Sequence, residues 1–536
     1  MTSTSMQFEG LLDRHFEAVL QDQPVFATYS GLTHGEGRLG HANAAFEARQ
    51  QRRRKVTLKH LDALNPRELL PEQHLDRLAL RSQLTRECED HDRGRPAMDP
   101  AAPDLLLNLC LYELQRGDDE PSRAARNLRS LLRKAPSYLA EAETLIERPE
   151  PVWRSIMSQT LRGAPSLFQA VGAFLARNSP SPASDARLLE GAQRACTAYG
   201  NAIEDRPPAM PGSFAVGAAC LARRVRDQLG LDYTLAEIES LALAETHRIG
   251  KLLEVACARF GKGRTADEII ADARRAWDPG PDLVGTYRAE TRRVADGFRS
   301  ASAVTFPSGE TLEVRLVPEF MRHLYPTAAY SSPGPFARKQ RGIFWVNDLS
   351  LTQTTEAARK AERQQHFGLS LTCAHEAYPG HHLQFITANQ HPRRWRRLFA
   401  HAVFYEGWTL WCEQMMVDLR IDRSPWLRVQ QLHDALWRAH RVLVDLRLQT
   451  GRYSHARAVA HLQKHLGFTK ARAAADVNWY TASPTVPMSY WLGRLENERL
   501  RHRLMTGRGW SLQRFNDWLL GFGTLPQAWI EKYGLD

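Results

Sequence analysis

The amino-acid sequence predicts a mainly α-helical protein that carries one small β-sheet. Apolar residues recur at three- and four-residue spacing in much of the chain, including residues 8–21, 67–90, 121–147, 214–229 and most of 430–505. Strand character is confined to a short region directly upstream of the motif that is richest in histidine. At 536 residues, two or more lobes that share a cleft are expected rather than one compact domain.

The predicted helices are separated by short loops. Proline-rich breaks fall at residues 148–151, 179–184 and 207–212. A helix is expected to begin at Thr234, because a threonine followed three residues later by Glu237 forms a capping box. We expect a mainly helical N-terminal lobe over residues 1–300 and a second lobe over residues 301–536, intertwined as one structural unit.

The small sheet is expected from apolar, β-branched stretches. Residues 304–306 and 313–317 flank a Pro-Ser-Gly turn and predict a hairpin. Residues 342–347, GIFWVN, predict a further strand just before the histidine motif. The edge of such a sheet, if it lies beside an active site, can bind an extended peptide as an added strand.

Composition argues against several classes of function. The net charge is +11, but the basic runs at residues 52–55 and 393–397 come without any nucleic-acid-binding signature, so no nucleic-acid partner is expected. No window approaches eighteen uninterrupted apolar residues, and the N-terminus lacks the pattern of a secretory signal, so no membrane partner is expected. Seven cysteines without a CxxC pair indicate a reducing compartment and predict a cytoplasmic protein.

The stretch HEAYPGHHLQ holds the residues of catalytic type. His375 and Glu376 begin like the zinc-protease signature HExxH, in which two histidines on one helix face bind the metal and the glutamate is the general base. The position of the second histidine is occupied by Pro379, which cannot bind a metal. The second ligand must therefore be His381 or His382.

Neither of these two histidines reaches the first one on a regular helix. A six-residue step turns His381 about 120° away from His375, and a seven-residue step moves His382 about 10 Å along the axis. Pro379 clashes with the carbonyl of residue 375, and Gly380 permits unusual torsions. A metal site therefore requires a bulged turn here, which folds one imidazole back toward His375.

A third ligand is expected from the following helix. Residues 397–420 predict a long, largely apolar helix in which Glu406 and Glu413 are seven residues apart and share a face. A carboxylate in such surroundings is costly unless it is paired or bound to a metal. Two histidines, one glutamate and an open water position form the ligand set of a catalytic zinc centre, although manganese or cobalt suits the same ligands. The alternative is that the histidines pack or cap and the glutamates pair with arginines.

These motifs resemble those of a known family. The sequences HEAYPGHHLQ and YEGWTLWCE are similar to the HExxPGHH and EGWALYxE motifs of the bacterial family called domain of unknown function 885. That family is grouped with helical zinc peptidases such as angiotensin-converting enzyme and thimet oligopeptidase. The resemblance implies a two-lobed, zinc-peptidase-like architecture with a central cleft. It makes His381 the second ligand, with His382 as the alternate, and Glu406 the third.

The resemblance extends to residues near the C-terminus. Residues 480–493 resemble the family motif YxxxPGQAxSYxxG, which implies that Tyr490, with Tyr480, lies over the metal. A phenol there donates to the oxyanion of a tetrahedral intermediate. The alternative for either tyrosine is a packed ring with a satisfied hydroxyl. Glu413 is expected to orient one of the metal ligands by contacting the side of that ligand that faces away from the metal.

The chain departs from the family pattern at two places. Thr485 and Val486 stand where the family has a glycine and a glutamine. Arg447 and Gln449 stand where the family motif DxGxH has its glycine and histidine, and Gln449 can offer a substrate only a neutral hydrogen bond. The metal site is thus expected to be intact and the substrate contacts altered. This pattern suggests a specialised substrate or a weakened peptidase.

We therefore expect a zinc-dependent hydrolase that cleaves peptide or related amide bonds. Its metal ligands are His375, His381 and Glu406. Glu376 is the general base and then the proton shuttle, and Tyr490 stabilises the oxyanion. A metal-binding protein without turnover is the alternative, against which the retention of Glu376 argues. The sequence leaves open the substrate, the cleavage direction and the oligomeric state.

Overall fold

The computed structural model describes residues 2–117, 119–318, 322 and 327–535. It is mainly helical with one small three-stranded sheet, which confirms the predicted fold class at this level. The chain divides into two compact units, Met1–Ala215 and Val216–Asp536. Within the described ranges, no helix is both long and apolar enough to span a bilayer.

The first unit is built from helices that bury one apolar face. In order they are α1 (Ser3–Asp22), α2 (Pro24–Tyr29), α3 (Ala44–Ala63), α4 (Pro71–Asp92), α5 (Arg95–Met98), α6 (Ala102–Arg116), α7 (Pro121–Glu143), α8 (Pro151–Asn178) and α9 (Pro182–Glu204). Several begin with proline, whose missing N–H is not needed in the first turn. Leu128, Leu131 and Leu139 of α7 are almost completely buried, as the apolar periodicity of this segment predicts.

The second unit contains all the residues of the predicted site. Its helices are α10 (Ala218–Gln228), α11 (Leu235–Ala258), α12 (Ala266–Ala276), α13 (Leu283–Ser300), α14 (Glu356–Gln364), α15 (Leu369–Glu376), α16 (His381–Asn389), α17 (Ala402–Asp418), α18 (Leu427–Gln449), α19 (His455–Leu466), α20 (Lys470–Ala482), α21 (Val486–Arg508), α22 (Leu512–Gly521) and α23 (Gln527–Tyr533). The predicted capping box of α11 is present, because Thr234 and Glu237 exchange hydrogen bonds. In the core, α17 packs along α21, and α18 packs along α11 and α21.

The small sheet has the strand order β1-β3-β2, with strands β1 (Thr311–Leu316), β2 (Ala328–Ser331) and β3 (Arg341–Val346). Strand β1 is parallel to β3, and β2 is antiparallel to β3. The predicted strand over residues 342–347 is confirmed, but the predicted hairpin is wrong. Residues 304–306 are not a strand, since the Thr305 N–H donates to Asp517 of α22 at 2.7 Å.

Candidate metal centre

The helix that carries the first histidine ends directly after it. Helix α15 stops at Glu376 and α16 begins at His381, so the helix is broken rather than merely bulged. The intervening loop is held against α17, because the Trp408 indole N–H donates to the Pro379 carbonyl at 2.7 Å. The break brings the ring of His381 back to within 5.1 Å of the ring of His375, measured between centroids.

The break requires glycine at position 380 because of a close backbone approach. The φ of Gly380 is −69° and its ψ is −136°, a combination outside the regions that L-residues ordinarily adopt. A Cβ at this position would also lie 1.8 Å from the His375 carbonyl oxygen and 2.4 Å from that of Ala374. Such distances are sterically forbidden. The unusual torsion predicted for Gly380 is therefore present, and the close backbone contact excludes a side chain as well.

Three side chains converge at this break. Possible ligand atoms of His375, His381 and Glu406 all lie within 4.8 Å of one another. Oε2 of Glu406 is 3.7 Å from Nε2 of His381 and 4.0 Å from Nε2 of His375, which is too long for hydrogen bonds. Two ligand atoms that share a tetrahedral zinc ion are roughly 3.4 Å apart. Since no pair of ligand atoms is more than 4.8 Å apart, each pair would have to close by at most about 1.4 Å to share one ion.

Two buried polar atoms of this cluster have no hydrogen-bond partner among the described residues. In the described part of the chain, Oε2 of Glu406 and Nδ1 of His381 are buried without a hydrogen bond. Burial raises the pKa of the Glu406 carboxyl to about 7, although His375 opposes the shift. An unsatisfied buried carboxylate is costly, and a cation among the three ligand atoms would remove that cost. The residues present therefore fit a metal ion of the zinc type.

Glu413 lies behind the first histidine and orients it. Its Oε1 is 2.8 Å from Nδ1 of His375, and Nη2 of Arg438 is 3.6 Å from the same oxygen. Burial lowers the pKa of His375, but Glu413 and the other nearby carboxylates outweigh this effect, so that the pKa is raised. The contact at Nδ1 turns Nε2 toward the cluster, as is usual for histidine ligands of metals.

Glu376 lies beside the cluster, at the end of α15. Burial raises the pKa of its carboxyl above the ordinary value, although His375 and the backbone N–H of Tyr330 in β2 act in the opposite direction. A carboxyl group with a raised pKa is suited both to accept and to return a proton near neutral pH. The structure thus places the predicted general base next to the predicted ligands and against the sheet.

No strand of the described residues pairs with the outer edge of β2, and this edge faces Glu376. The Thr327 carbonyl accepts from the Asn347 N–H at 2.7 Å, so residue 327 faces the neighbouring strand β3. Because main-chain groups alternate along an antiparallel strand, those of Ala328 and Tyr330 face away from β3. The action of the Tyr330 N–H on Glu376 shows that this free edge lies on the side of the cluster.

The two predicted tyrosines lie in different environments. The Tyr490 hydroxyl lies near the Glu406 carboxyl and lowers its pKa. The Tyr480 hydroxyl donates to Asp476 on its own helix at 3.1 Å, and its ring is fully buried. The structure therefore brings the hydroxyl of Tyr490 to the metal ligands and leaves that of Tyr480 on a protein carboxylate.

His382, the alternate ligand, faces the region of the sheet. Its Nε2 is 2.6 Å from Oε2 of Glu310, and its Nδ1 is 3.0 Å from the Tyr330 hydroxyl. Tyr378 also donates to Glu310, at 2.7 Å. Both ring nitrogens of His382 are thus engaged, and its side chain is completely buried. The geometry favours His381 as the second ligand.

The residues that replace the family histidine and glycine contact the protein itself. The Gln449 amide donates to the Tyr480 carbonyl at 2.8 Å and accepts from the Val216 N–H at 3.4 Å, with no exposed surface. Nε of Arg447 donates to Glu239 at 2.8 Å. The structure does not bring either side chain to the three ligand atoms.

The other departure from the family pattern lies at the start of α21. Thr485 is the N-cap residue of this helix and has a φ of +74°, in the left-handed region that favours glycine. Its hydroxyl donates to the Gln228 side chain at 3.2 Å. Val486 is the first residue of the helix. The missing glycine therefore costs some backbone strain without changing the start of the helix that carries Tyr490.

Sequence reasoning missed Arg441 of α18, whose side chain is buried next to the Tyr490 ring. The signal that marks it is a cation within an apolar helix segment, because a buried charge is retained only where something offsets its cost. The rings that surround it come from different helices, and periodicity does not show their convergence.

The described residues define a mainly helical protein with one small sheet and a histidine–glutamate cluster. A family model described as "Bacterial protein of unknown function (DUF885)" matches residues 24–533. The chain belongs to this family. The resemblance inferred from the motifs is thus confirmed for the family itself. No curated protein matches the chain.

Two solved structures share the fold. A protein from Shewanella oneidensis, described as a "putative lipoprotein of unknown function", has a TM-score of 0.78 and 19% identity, covering 99% of this chain and 100% of its own. A "putative lipoprotein" from Colwellia psychrerythraea has a TM-score of 0.78 and 17% identity, with 99% of each chain covered. At these identities, the likeness supports the fold alone.

These two structures contradict the predicted cytoplasmic location, because both proteins are described as lipoproteins. The prediction rested on seven unpaired cysteines. All seven are buried in the structure, and burial raises the pKa of thiols such as Cys373 and Cys412. A buried, protonated thiol is inert in either redox environment, so unpaired cysteines do not report the compartment.

Proposed function

We propose that this protein is a zinc-dependent hydrolase of peptide or related amide bonds. The observation that carries the proposal is the convergence of His375, His381 and Glu406 beside Glu376, with an unpartnered carboxylate oxygen facing two imidazoles. A purely structural metal site has no need of an adjacent base. We extend the proposal to kinship with the helical zinc peptidases, which the order of the two motifs supports.

The residues of the site have separable roles in such a reaction. His375, His381 and Glu406 would hold zinc, which supplies polarisation of the scissile carbonyl and acidification of water when bound. Glu376 accepts a proton as water attacks the carbonyl carbon, and returns it to the nitrogen as the C–N bond breaks. Tyr490 donates a hydrogen bond to the carbonyl oxygen as it gains negative charge.

A peptide is the substrate that the surroundings support. The main-chain groups of Ala328 and the carbonyl of Tyr330 form a strand edge on the side of Glu376 that no described strand covers. An extended peptide that pairs with this edge, as an added strand, would lie along the cluster. A small amide without such a backbone would leave these groups unused.

The proposal is tested by metal analysis combined with hydrolysis of a peptide library. We expect about one equivalent of zinc, loss of hydrolysis on chelation and recovery on reconstitution. Glu376→Gln should retain the zinc and lose hydrolysis, since it removes the base and no ligand. Activity equal to that of the wild type in this variant would refute the assigned base. Zinc without any hydrolysis by the wild type would instead indicate a metal-binding protein without turnover.

A further inference from the structure

Arg441 is enclosed by aromatic rings next to the proposed zinc site. Only 6% of its surface is exposed. Its guanidinium carbon lies 4.0 Å from the ring centre of Trp437, 4.6 Å from Tyr490, 5.4 Å from Trp479 and 5.8 Å from Tyr480. Aromatic faces attract a cation and fix the planar group in place. The guanidinium is therefore preorganised within this ring enclosure.

Burial lowers the pKa of this arginine and the carboxylates of Asp476 and Glu406 raise it, but neither carboxylate is in direct contact with it in the described part of the chain. Arg441 forms no ion pair there, and its buried Nε has no hydrogen-bond partner. Arg494 of α21, also buried, is by contrast paired with Glu498 at 2.8 Å. A buried guanidinium without a carboxylate is costly to maintain.

The nearby carboxylate of Asp476 does not fill this gap. Its Oδ2 accepts from the Trp437 indole N–H at 3.0 Å and from the Tyr480 hydroxyl at 3.1 Å. Asp476 thus fixes two walls of the ring enclosure and does not pair with the cation inside it. A direct ion pair is thus missing at the guanidinium among the described residues, and an anion from outside the chain would supply it.

The position of Arg441 relates this missing anion to the reaction. The face of the Tyr490 ring contacts the guanidinium, while its hydroxyl lies beside the ligand Glu406. One aromatic ring therefore separates the cation from the predicted metal ligands. Successive residues of an extended peptide are about 3.3–3.6 Å apart. A peptide whose carboxylate lies one or two residues beyond the scissile bond would therefore span the width of the Tyr490 ring.

We propose that Arg441 binds a carboxylate of the substrate, and that the protein cleaves near a free C-terminal carboxylate. This inference rests on the proposed hydrolase for the position of the scissile bond. An aspartate or glutamate side chain would present the same chemistry. In an unmodified peptide, however, the C-terminus is the only main-chain carboxylate, and it lies on the leaving-group side of the bond. A bidentate arginine–carboxylate pair fixes both position and orientation.

The test measures binding without turnover, in the zinc-loaded Glu376→Gln protein. Calorimetry compares N-acetyl-Ala-Ala as the free acid with its C-terminal amide. We expect the acid to bind about tenfold more tightly or better, because a hydrogen-bonded charge is lost in the amide. Adding Arg441→Gln should abolish this preference. Adding Arg447→Gln, which removes a cation of the same helix that pairs with Glu239, should leave it intact.

Two additional measurements distinguish a C-terminal carboxylate from a side-chain carboxylate and control for misfolding of the variant. Arg441→Lys keeps the charge within the rings and should retain part of the preference. An amidated peptide that carries aspartate reports side-chain recognition. An Arg441-dependent preference confined to this peptide would overturn the C-terminal assignment. Equal binding of acid and amide by the protein with Arg441 intact would overturn the carboxylate site altogether.

Failure of this inference is distinguishable from failure of the proposed function. Hydrolysis of acid and amide at equal rates by the wild-type holoenzyme would leave the hydrolase standing and refute the carboxylate site. A preference for the acid that depends on Arg441, without hydrolysis of either peptide, would support the carboxylate site and refute the hydrolase.

Discussion

Gly407 of α17 and Gly493 of α21 lie in direct backbone contact where their helices cross. A Cβ on Gly407 would lie 2.5 Å from the Gly493 carbonyl carbon, and a Cβ on Gly493 would lie 1.9 Å from the Val403 oxygen. Glu406 lies next to Gly407, and Tyr490 lies one helical turn before Gly493. The crossing therefore brings a predicted metal ligand close to the predicted oxyanion donor. The two glycines therefore set the separation of the two helices, on which the proposed chemistry depends.

Gly493→Ala is expected to force α17 and α21 apart. Overpacking of this kind costs about 1–3 kcal/mol of stability, and it should also lower hydrolysis by moving Tyr490 away from Glu406. The matched control is Gly507→Ala on the same helix, where an added Cβ meets no atom within 4 Å. Alanine in a helix is favoured over glycine by about 0.8–1 kcal/mol, so this control should gain stability. Urea unfolding measures both, and equal effects would contradict the close crossing.

Tyr490→Phe is expected to lower kcat about 10²–10³-fold while the zinc content stays unchanged, because we propose the hydroxyl as a donor to the oxyanion and not as a ligand. Tyr480→Phe is the control, since its hydroxyl is occupied by Asp476. This second variant should cost about 1 kcal/mol of stability with little change in kcat. Steady-state kinetics with metal analysis decides the matter. A similar kcat for both variants would remove the oxyanion role from Tyr490.

Glu413→Gln is expected to weaken zinc binding about 10–100-fold, because the charge that orients His375 through its Nδ1 is lost. Competition with a chelator of known affinity measures this change. Asp418→Asn is the matched control, as it removes the same charge from an exposed position of the same helix. Unchanged zinc affinity in Glu413→Gln would show that His375 does not need this partner.

The sequence predicted the convergence at the site better than its details. Residue type and spacing indicated His375, one of His381 and His382, and a glutamate of the next helix. The family resemblance selected His381 and Glu406, and the structure brings these three residues together. Helix geometry alone left His381 and His382 open, because the path of a broken helix depends on the loop and on its contact with α17. The family resemblance, not the spacing, favoured His381.

Features that depend on distant segments were missed. The hairpin was inferred from neighbouring residues, but β1 pairs with β3, about thirty positions later in the sequence. Arg441 was overlooked because the rings around it lie on α18, α20 and α21. Local periodicity reports which face of a helix is buried and does not report which segments meet there.

Glu36 in the first unit predicts how stability depends on pH. Its carboxylate, only 6% exposed, lies 2.9 Å from Nη1 of Arg116 and 2.7 Å from Nε of Arg123. Burial raises its pKa, but the two arginines outweigh that effect, so the folded pKa lies below the ordinary value of 4.5. A depressed pKa contributes stability that is complete above 4.5 and is lost as the pH falls through the folded pKa.

Glu36→Gln is therefore expected to destabilise the protein at pH 7 by about 2 kcal/mol and to flatten the loss of stability below pH 4.5. Urea unfolding of the first unit at a series of pH values measures both effects. Glu120→Gln is the control, since Glu120 also contacts Arg123 but is 51% exposed, and an exposed pair contributes little. The prediction is contradicted if both variants lose stability at low pH as the wild type does. Protonation of Glu36 would then cost the folded state no more than it costs the unfolded chain, and the contacts of Glu36 with the two arginines would not cause the acid dependence.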